Sequence, residues 1–343
     1  MTKDRTRTRP TVVVVGLGGT IAMMPSDRDG AARPTLSAAE LLAAVPQLDG
    51  TDVDIQTLSF ASKPGASLTL DDMDSLADRL RAMAGEGAVD GIVVTQGTDT
   101  LEETAYLLSL LYGERPPLVV TGAMRAPHLA GADGPANLLA AVTVAASPQA
   151  RGLGVLVVFN DQVFDPARVR KAHSTSTSAF TAADTGALGI VAEGALRLLA
   201  VPAHKPGPLA AAVDRQARVA LYPATLGDDG ALLEVLLNQV DGMVIAGFGV
   251  GHVPETWVPL LTKAAQRIPV VLASRTGAGT TLTRAYGFDG SEKDLLSRGL
   301  IGAGHLDPYK ARHLLTVLLR GGADNDTIRA TFAPAGTTPE GRG

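Results

Sequence analysis

Hydroxyl and carboxylate side chains stand together in Gly97-Thr98-Asp99-Thr100, shortly after the apolar run Gly91 to Val94. The run is typical of a buried strand, and the leucine spacing that follows is typical of a helix. An open α/β sheet binds its ligand at the carboxyl ends of its strands. Free backbone N–H groups at the helix start would favour an anion or a developing oxyanion. The stretch therefore predicts a ligand site in which negative charge can be stabilised.

Thr20 and Lys171 could make such a site reactive. Thr20 follows the glycine-rich turn Gly16-Leu17-Gly18-Gly19, where backbone amides are accessible. A threonine hydroxyl is a weak nucleophile unless a base or an electropositive site activates it. A lysine that is partly desolvated beside a hydroxyl and an aspartate can lose its proton and act as that base. Taken alone, Thr20 is more simply a turn residue and Lys171 a solvated surface lysine.

Several standard sites are missing from the sequence. It contains no cysteine, which excludes a thiol nucleophile, a zinc–cysteine site and a disulfide framework. The six histidines show no paired ligand spacing, so no metal site is predicted. Ile21 occupies the third small-residue position of a dinucleotide fingerprint, and neither a Walker lysine motif nor a G-x-S-x-G elbow occurs. We therefore expect no cofactor.

Net charge and hydropathy indicate which partners and which cellular location to expect for the protein. The net charge is −5, so nothing indicates binding to nucleic acid or to acidic membranes. Met1 to Pro10 is polar and basic, and the apolar run Val12 to Val15 is too short for a signal or membrane segment. These features predict a cytoplasmic protein with no membrane partner.

Strands and helices alternate along the chain and would position the reactive residues. Apolar β-branched runs predict strands at Val12 to Val15, Val53 to Leu58, Gly91 to Val94, Pro117 to Thr121, Leu153 to Phe159, Arg218 to Tyr222, Met243 to Ala246 and Val270 to Ala273. Helical spacing predicts helices at Ala38 to Val45, Thr69 to Ala84, Ala136 to Ala146, Ala231 to Gln239, Glu255 to Gln266, Tyr309 to Leu319 and Asp326 to Phe332. A further helix should begin just after Asp99, because Thr100 and Glu103 match a capping box. Met24 to Pro34 is predicted to be a mobile loop.

The alternation predicts an α/β protein of two domains. With 343 residues, the chain is long enough for a buried core in each. We expect a larger N-terminal domain, residues 1–205, with a mostly parallel, helix-covered sheet. A proline-rich linker, residues 206–216, would lead to a smaller α/β domain, residues 217–343. Val163 to Ala187, which includes Lys171, is polar and long for a connection, and this predicts a segment that takes part in function.

The motifs in this order resemble the bacterial-type L-asparaginase/glutaminase family. The similar stretches are Gly18-Gly19-Thr20-Ile21-Ala22, Gly97 to Ala105, Thr121-Gly122-Ala123-Met124-Arg125, Ala132 to Leu138, Arg170-Lys171, Gly247 to Gly251 and Leu306 to Arg312. The resemblance runs from about Val12 to Phe332. The first two motifs together are highly specific, whereas neither would be so alone.

The resemblance implies the fold of that family, without cofactor or metal, and hydrolysis of the side-chain amide of L-asparagine to aspartate and ammonia. Thr20 would be the nucleophile that forms an acyl-enzyme. Thr98, Lys171 and Asp99 would form a second group that activates water or assists proton transfer. The backbone N–H of Thr98 would stabilise the oxyanion, which is worth about 3 kcal/mol per donor. The family usually assembles as a homotetramer of intimate dimers, with each site shared between two subunits.

The resemblance also implies how an amino-acid substrate is bound. Ser67 matches the carboxylate-binding serine of the family, and Asp99 suits the α-ammonium. The family adds a glutamate from the neighbouring subunit, for which Glu292 is the candidate. The chain departs from the family in having no tyrosine between Met23 and Phe60, and in having Gln96 in place of a commoner histidine.

Other functions remain open from the sequence. Glutamine, D-asparagine or an amide on a larger carrier could be the substrate, although the chain shows no basic patch for a carrier such as transfer RNA. A non-catalytic amino-acid sensor on the same fold is a second alternative, supported by the missing loop tyrosine. A nucleotide-binding oxidoreductase is a more distant one.

Overall fold

The computed structural model describes residues 9–25, 32–85, 87–113, 115–202, 208–209 and 216–333. The chain divides into two compact units, Met1–Pro208 and Leu209–Gly343. The division falls within the stretch 206–216 that the sequence predicts as the linker.

The first unit is built on a large mixed sheet. Its strands are β1 Thr11–Gly16, β2 Met23–Pro25, β3 Ala32–Pro34, β4 Asp54–Ser59, β5 Gly91–Thr95, β6 Leu118–Thr121, β7 Val155–Phe159, β8 Gln162–Phe164, β9 Arg170–Lys171, β10 Phe180–Thr181, β11 Gly189–Ala192 and β12 Ala195–Leu198. Its α-helices are α1 Ala38–Ala43, α2 Leu70–Gly85, α3 Leu101–Leu111 and α4 Gly134–Ala146. Within the described ranges the main sheet has eight strands in the order β12-β11-β8-β7-β6-β5-β1-β4.

The parallel part of this sheet carries the predicted reactive residues. Strands β4, β1, β5, β6 and β7 lie side by side and are parallel to one another, and Val15 of β1 pairs with Val94 of β5. All residues of β1 and β5 are buried, as their continuous apolar runs predict. Helix α4 packs on β5, β6 and β7, with Leu138 and Val142 in the core beneath the sheet. The mostly parallel, helix-covered sheet is therefore confirmed.

The sheet also has a part that the sequence did not predict. Strands β8, β11 and β12 are antiparallel and extend the sheet at one edge, and β9 and β10 form a separate antiparallel pair. Each has only two to four residues. Strands this short contain too little alternation to be recognised from periodicity. Lys171 lies on one of them, β9.

Two local predictions in the first unit were wrong. Thr100 does occupy the position before α3, but its side chain makes no capping hydrogen bond to that helix, so the predicted capping box with Glu103 does not form. The arms of the predicted loop Met24 to Pro34 pair as antiparallel strands β2 and β3, and its centre lies outside the described residues. By contrast, Ser37 and Glu40 do form a capping box at α1.

The second unit is a smaller parallel α/β layer. Its strands are β13 Val219–Pro223, β14 Gly242–Gly247, β15 Val270–Ser274 and β16 Ile301–Gly302, which are parallel and adjacent in chain order. Its α-helices are α5 Ala231–Leu237, α6 Val258–Ala265, α7 Glu292–Ser297, α8 Pro308–Arg320 and α9 Asn325–Phe332. Helix α8 packs on β13, β14 and β15, while Trp257 and Leu261 belong to a core with Ile245 and Leu272. The predicted strands and helices of this unit are confirmed, and α7 and β16 were missed.

Within the described ranges, no helix is both long enough and apolar enough to cross a membrane.

Candidate active site

Two glycines bring the ends of β1 and β5 into contact. Gly19 has φ +85°, and a Cβ atom built on it would overlap the backbone N of Gly97. The two chain segments are also joined by the Leu17 N–H, which donates to the Thr95 carbonyl at 2.9 Å. A side chain at position 19 would need both a rare backbone conformation and space that Gly97 fills. The glycine pattern of the two motifs is thus explained by this close approach.

This contact places the two predicted threonines on adjoining turns. Thr20 follows Gly19 and begins a single 3₁₀ turn, Thr20–Ala22, in which Ile21 and Ala22 are buried and Thr20 is half-buried. Thr98 follows Gly97 and is 4% exposed. Each hydroxyl therefore follows one of the two glycines that touch, at the carboxyl edge of the parallel sheet.

Lys171 joins Thr98 and Asp99 through its side chain. Its Nζ donates hydrogen bonds to Thr98 Oγ1 and to Asp99 Oδ1, each at 2.9 Å. The lysine side chain is 15% exposed, whereas the Asp99 side chain is 71% exposed. Because Nζ occupies an acceptor position of Thr98, the hydroxyl hydrogen stays available for another partner. This arrangement can pass a proton between a threonine hydroxyl and an amine.

The Lys171–Asp99 ion pair contributes little to stability. Pairs in which one partner is well exposed are worth about 0–1 kcal/mol, because water competes for the charges. Partial burial of the charged ammonium group is a cost to set against that gain. The pair is better explained by the chemistry of the site than by stabilisation of the fold.

Glu102 holds the backbone of Lys171 in place. The Lys171 N–H donates to Glu102 Oε2 at 2.9 Å, across 69 residues of sequence. Glu102 lies in the first turn of α3, so the same helix that follows Asp99 anchors β9. This residue was not predicted from the sequence. Its place within the Gly97 to Ala105 motif was the available signal, but a backbone partner so distant in sequence cannot be read from spacing.

A polar network fixes the backbone behind Thr98. A Cβ atom on Gly122 would lie 3.5 Å from Thr98 Cγ2 and 2.5 Å from the Gln96 carbonyl oxygen. Asn137 Nδ2 donates to the Gly122 carbonyl at 3.0 Å, and its Oδ1 accepts the Asn160 N–H at 2.9 Å. The side chain of Asp133 accepts the Met124 and Arg125 N–H groups. The motif Ala132 to Leu138 thus supports the loop against which Thr98 packs.

Ser67 lies on a third turn that reaches the same edge of the sheet. It ends the 3₁₀ turn Gly65–Ser67, and its side chain is exposed. A Cβ atom on Gly65 would lie 3.3 Å from the Gly97 carbonyl oxygen. The turns that carry Thr20, Ser67 and Thr98 therefore meet at one place, where Gly19 and Gly97 are in contact.

Glu292 lies in the second unit and is fully buried. Its Oε1 accepts the Ala285 and Tyr286 N–H groups at 2.9 Å, and its Oε2 lies 3.2 Å from His252 Nε2. Burial raises the pKa of this carboxyl, but the backbone N–H groups of Tyr286, Glu292 and Ala285 and the His252 contact outweigh it, so the pKa lies below the ordinary value of 4.5. The carboxylate fixes the loop that precedes α7. Binding of a substrate by Glu292 stays a prediction.

No metal site is evident in the part of the chain that the structure describes. No group of three or more His, Cys, Asp or Glu side chains is placed there to hold an ion. The side chains gathered around Gly97 are hydroxyls, one amine and carboxylates. Hydroxyls, an amine and carboxylates are the groups that acyl and proton transfer require.

Comparison with known proteins identifies both units. Residues 11–203 match the family model "Asparaginase, N-terminal", and residues 218–332 match "Glutaminase/Asparaginase C-terminal domain". The chain is 38% identical to a probable L-asparaginase of Deinococcus radiodurans, over 94% of this chain and 97% of that protein. It is 33% identical to a glutaminase-asparaginase of Pseudomonas aeruginosa, over 94% of this chain and 89% of that protein.

A solved structure has the same fold. It is the crystal structure of a probable cytoplasmic L-asparaginase from Campylobacter jejuni, with a TM-score of 0.82 and 30% sequence identity. The match covers 94% of this chain and 99% of that one. The chain therefore belongs to the asparaginase/glutaminase family and is an amidohydrolase.

Proposed function

We propose that the protein hydrolyses the side-chain amide of L-asparagine to L-aspartate and ammonia, with Thr20 as nucleophile. The observation that carries the proposal is that Lys171 is hydrogen-bonded to Thr98 and Asp99, which lie on a turn in contact with the turn of Thr20. The relatives from Deinococcus radiodurans and Bacillus licheniformis, named a probable L-asparaginase and an L-asparaginase, support the substrate.

The first half of the reaction would form an acyl-enzyme. Thr20 Oγ1 attacks the amide carbon, a C–O bond forms, and the developing oxyanion is stabilised by backbone N–H groups at the strand ends, including that of Thr98. The C–N bond then breaks. The proton from the Thr20 hydroxyl goes to the leaving nitrogen, which departs as ammonia.

The second half would return the enzyme to its starting state. A water molecule adds to the ester carbon as Thr98 and Lys171 accept its proton in turn, and the C–O bond to Thr20 breaks. The proton then goes back to the Thr20 oxygen. Asp99 Oδ1, at 2.9 Å from Nζ, holds the lysine amine in line with Thr98 Oγ1. Aspartate leaves with its new carboxylate.

Recognition of the amino acid would divide between two turns. Asp99 is exposed and has a carboxylate for the α-ammonium, while the exposed hydroxyl of Ser67 would bind the α-carboxylate. Glu292 would add to the ammonium site from a neighbouring subunit. Both loop hydrogen bonds go to Oε1, so Oε2, which lies 3.2 Å from His252 Nε2, would be the oxygen that accepts the ammonium.

Glutamine is the second candidate substrate. A relative from Pseudomonas aeruginosa has the name glutaminase-asparaginase, at 33% identity. Measured turnover of L-asparagine, L-glutamine and D-asparagine decides between them. A non-catalytic sensor would bind one of these amino acids and release no ammonia.

Ammonia release by two variants tests the roles of the residues. Thr20→Ala should abolish turnover of L-asparagine, and Thr143→Ala, which removes a hydroxyl bonded to the Leu139 carbonyl within α4, should not. If Thr20→Ala kept turnover within a few-fold of the parent, the nucleophile would be wrongly assigned. If the parent itself released no ammonia, the proposed activity would be wrong.

We further propose the assembly and location that the family resemblance implies, a homotetramer in the cytoplasm. The relative from Campylobacter jejuni, described as a probable cytoplasmic L-asparaginase, supports the location. Light scattering coupled to size exclusion would give the mass of the assembly, and a monomer would contradict the tetramer.

A further inference from the structure

The hydroxyl of Thr100 binds a different part of the chain from the one its position predicts. Thr100 stands directly before α3, where a threonine side chain ordinarily accepts a hydrogen bond from its own helix. It makes no such bond. Instead its Oγ1 donates to the carbonyl of Gly65 at 3.1 Å, 35 residues earlier in the chain.

This choice distinguishes α3 from four other helices that also have a residue able to cap at their start. Side chains of Ser37, Ser291, Asp307 and Asp324 cap α1, α7, α8 and α9 in the ordinary way. Helix α3 forgoes that stabilisation although it has a threonine in the capping position. A local preference that is overridden in this way indicates that the alternative partner matters more.

Gln96 sets the direction of the Thr100 hydroxyl. Gln96 Nε2 donates to Thr100 Oγ1 at 3.4 Å and to the Gly97 carbonyl at 3.3 Å. Thr100 is thereby the acceptor for Gln96 and the donor to Gly65. Gln96 is fully buried and its Oε1 has no partner among the described residues, so the amide satisfies these two contacts at the expense of its own oxygen.

The Gly65 carbonyl is the fixed point of the turn that carries Ser67. The same carbonyl accepts the Leu68 N–H at 3.1 Å, and the Ser67 N–H donates to the Pro64 carbonyl at 2.9 Å. Beyond the turn, Thr69 and Asp72 bond reciprocally at the start of α2. The turn that carries Ser67 is therefore held on one side by the start of α2 and on the other by Thr100.

We propose that Thr100 is a positioning residue that ties the Ser67 turn to the turn of Thr98 and Asp99. The tie gives the α-carboxylate and α-ammonium contacts a fixed separation, so that the amino acid is bound as one unit. The inference rests on the proposed function, because it takes Ser67 to bind the substrate carboxylate. It predicts that Thr100 acts on substrate binding rather than on the chemical step.

Steady-state kinetics of three variants test this role. Thr100→Val removes the hydroxyl and keeps the shape, Thr100→Ser keeps the hydroxyl, and Thr143→Val is the matched control for a threonine bonded within α4. We expect KM for L-asparagine to rise about tenfold in Thr100→Val, the effect of one hydrogen bond, with kcat nearly unchanged. Thr100→Ser and Thr143→Val should stay within about threefold of the parent. A fall in kcat at constant KM, or no change in Thr100→Val, would overturn the proposal.

Product inhibition separates the carboxylate contact from the rest of the substrate. The inhibition constant of L-aspartate should rise in Thr100→Val by the same factor as KM. That of β-alanine, which lacks the α-carboxylate, should not change. An equal rise for both compounds would mean that Thr100 does not act through the Ser67 turn.

Hydrogen exchange tests the tie without any substrate. The Ser67 and Leu68 amides should exchange faster in Thr100→Val than in the parent, and at the parent rate in Thr143→Val. Unchanged exchange would overturn the proposal even if the kinetics changed. If the parent released no ammonia but the exchange result held, the proposed function would be wrong and the tie would stand.

Discussion

Replacement of Lys171 by methionine separates its chemical role from its structural one. Methionine keeps most of the volume and the apolar stem but removes the Nζ bonds to Thr98 Oγ1 and Asp99 Oδ1, each 2.9 Å long. A positioned acid or base contributes about 10²- to 10⁴-fold in rate. We therefore expect kcat for L-asparagine to fall by a factor in that range.

The cost of the same change in stability should be small. The ion pair with the exposed Asp99 is worth about 0–1 kcal/mol, and the bond to the Thr98 hydroxyl about 1 kcal/mol. A loss of about 1–2 kcal/mol lowers a thermal midpoint by several degrees and leaves the protein folded at 25 °C. Ammonia release and thermal unfolding of Lys171→Met are measured beside Lys263→Met, which changes an exposed lysine of α6 in the second unit.

Lys171→Arg tests whether Lys171 acts by transferring a proton or only by its positive charge. Arginine keeps the charge, but its guanidinium does not lose a proton in proteins. If Lys171 transfers protons, Lys171→Arg should be almost as slow as Lys171→Met. Activity of the arginine variant within about tenfold of the parent would refute the proton-transfer role. Turnover of Lys171→Met within a few-fold would refute any role of this lysine in catalysis.

Three further predictions concern the residues that support the site. Gly19→Ala should destabilise the first unit and abolish activity, because the added Cβ would overlap the backbone of Gly97. Gly279 has the same φ of +85° but open space around a Cβ, so it is the matched control. Gly279→Ala should cost about 1–2 kcal/mol in unfolding free energy and keep activity. Glu102→Ala should lower kcat about tenfold, because the Lys171 N–H loses its acceptor, while Glu102→Gln, which keeps a carbonyl acceptor, should retain most of it. The pKa of Glu292 is lowered in the folded state, so its stabilisation is present above pH 4.5 and lost as the pH falls through the folded pKa. The thermal midpoint of Glu292→Gln should therefore lie below that of the parent at neutral pH and approach it as the pH falls through the folded pKa of the carboxyl.

Each of these predictions has its own contradicting result. Equal effects of the two alanine substitutions at glycine would mean that backbone conformation, and not the close approach of the strand ends, decides position 19. Equal activity of Glu102→Ala and Glu102→Gln would remove the backbone contact as the reason for the loss. A constant difference between Glu292→Gln and the parent from about pH 7 to about pH 3 would contradict the ionised state of the buried carboxyl.

Periodicity predicted the parts of the fold that are long and uniformly buried. The runs in β1 and β5 are apolar throughout, and their burial on both faces follows from the helices packed on each side of a parallel sheet. The two-residue strand β9 contains too few residues to show a repeating pattern. Its position depends on a tertiary partner, the Glu102 carboxylate that accepts the Lys171 N–H, and not on its own composition.

The site residues were predicted from motif order, and their contacts were not. Thr98 and Lys171 are 73 residues apart, so that no spacing rule joins them. Thr100 shows how a local rule fails: its sequence context matches a capping box, yet the Gly65 carbonyl takes its hydroxyl. Local rules consider only neighbours in sequence, whereas the residues around Thr20 and Thr98 are held by neighbours in space.

The location of the acyl group tests the central claim most directly. L-Asparagine is mixed with Lys171→Met, in which slow hydrolysis should let the ester accumulate, and the reaction is quenched in acid and digested for mass spectrometry. We predict a β-aspartyl ester on the peptide that carries Thr20. An ester on Thr98 would contradict the account. So would ammonia release by the parent if Thr20 carried no ester and Thr20→Ala remained active.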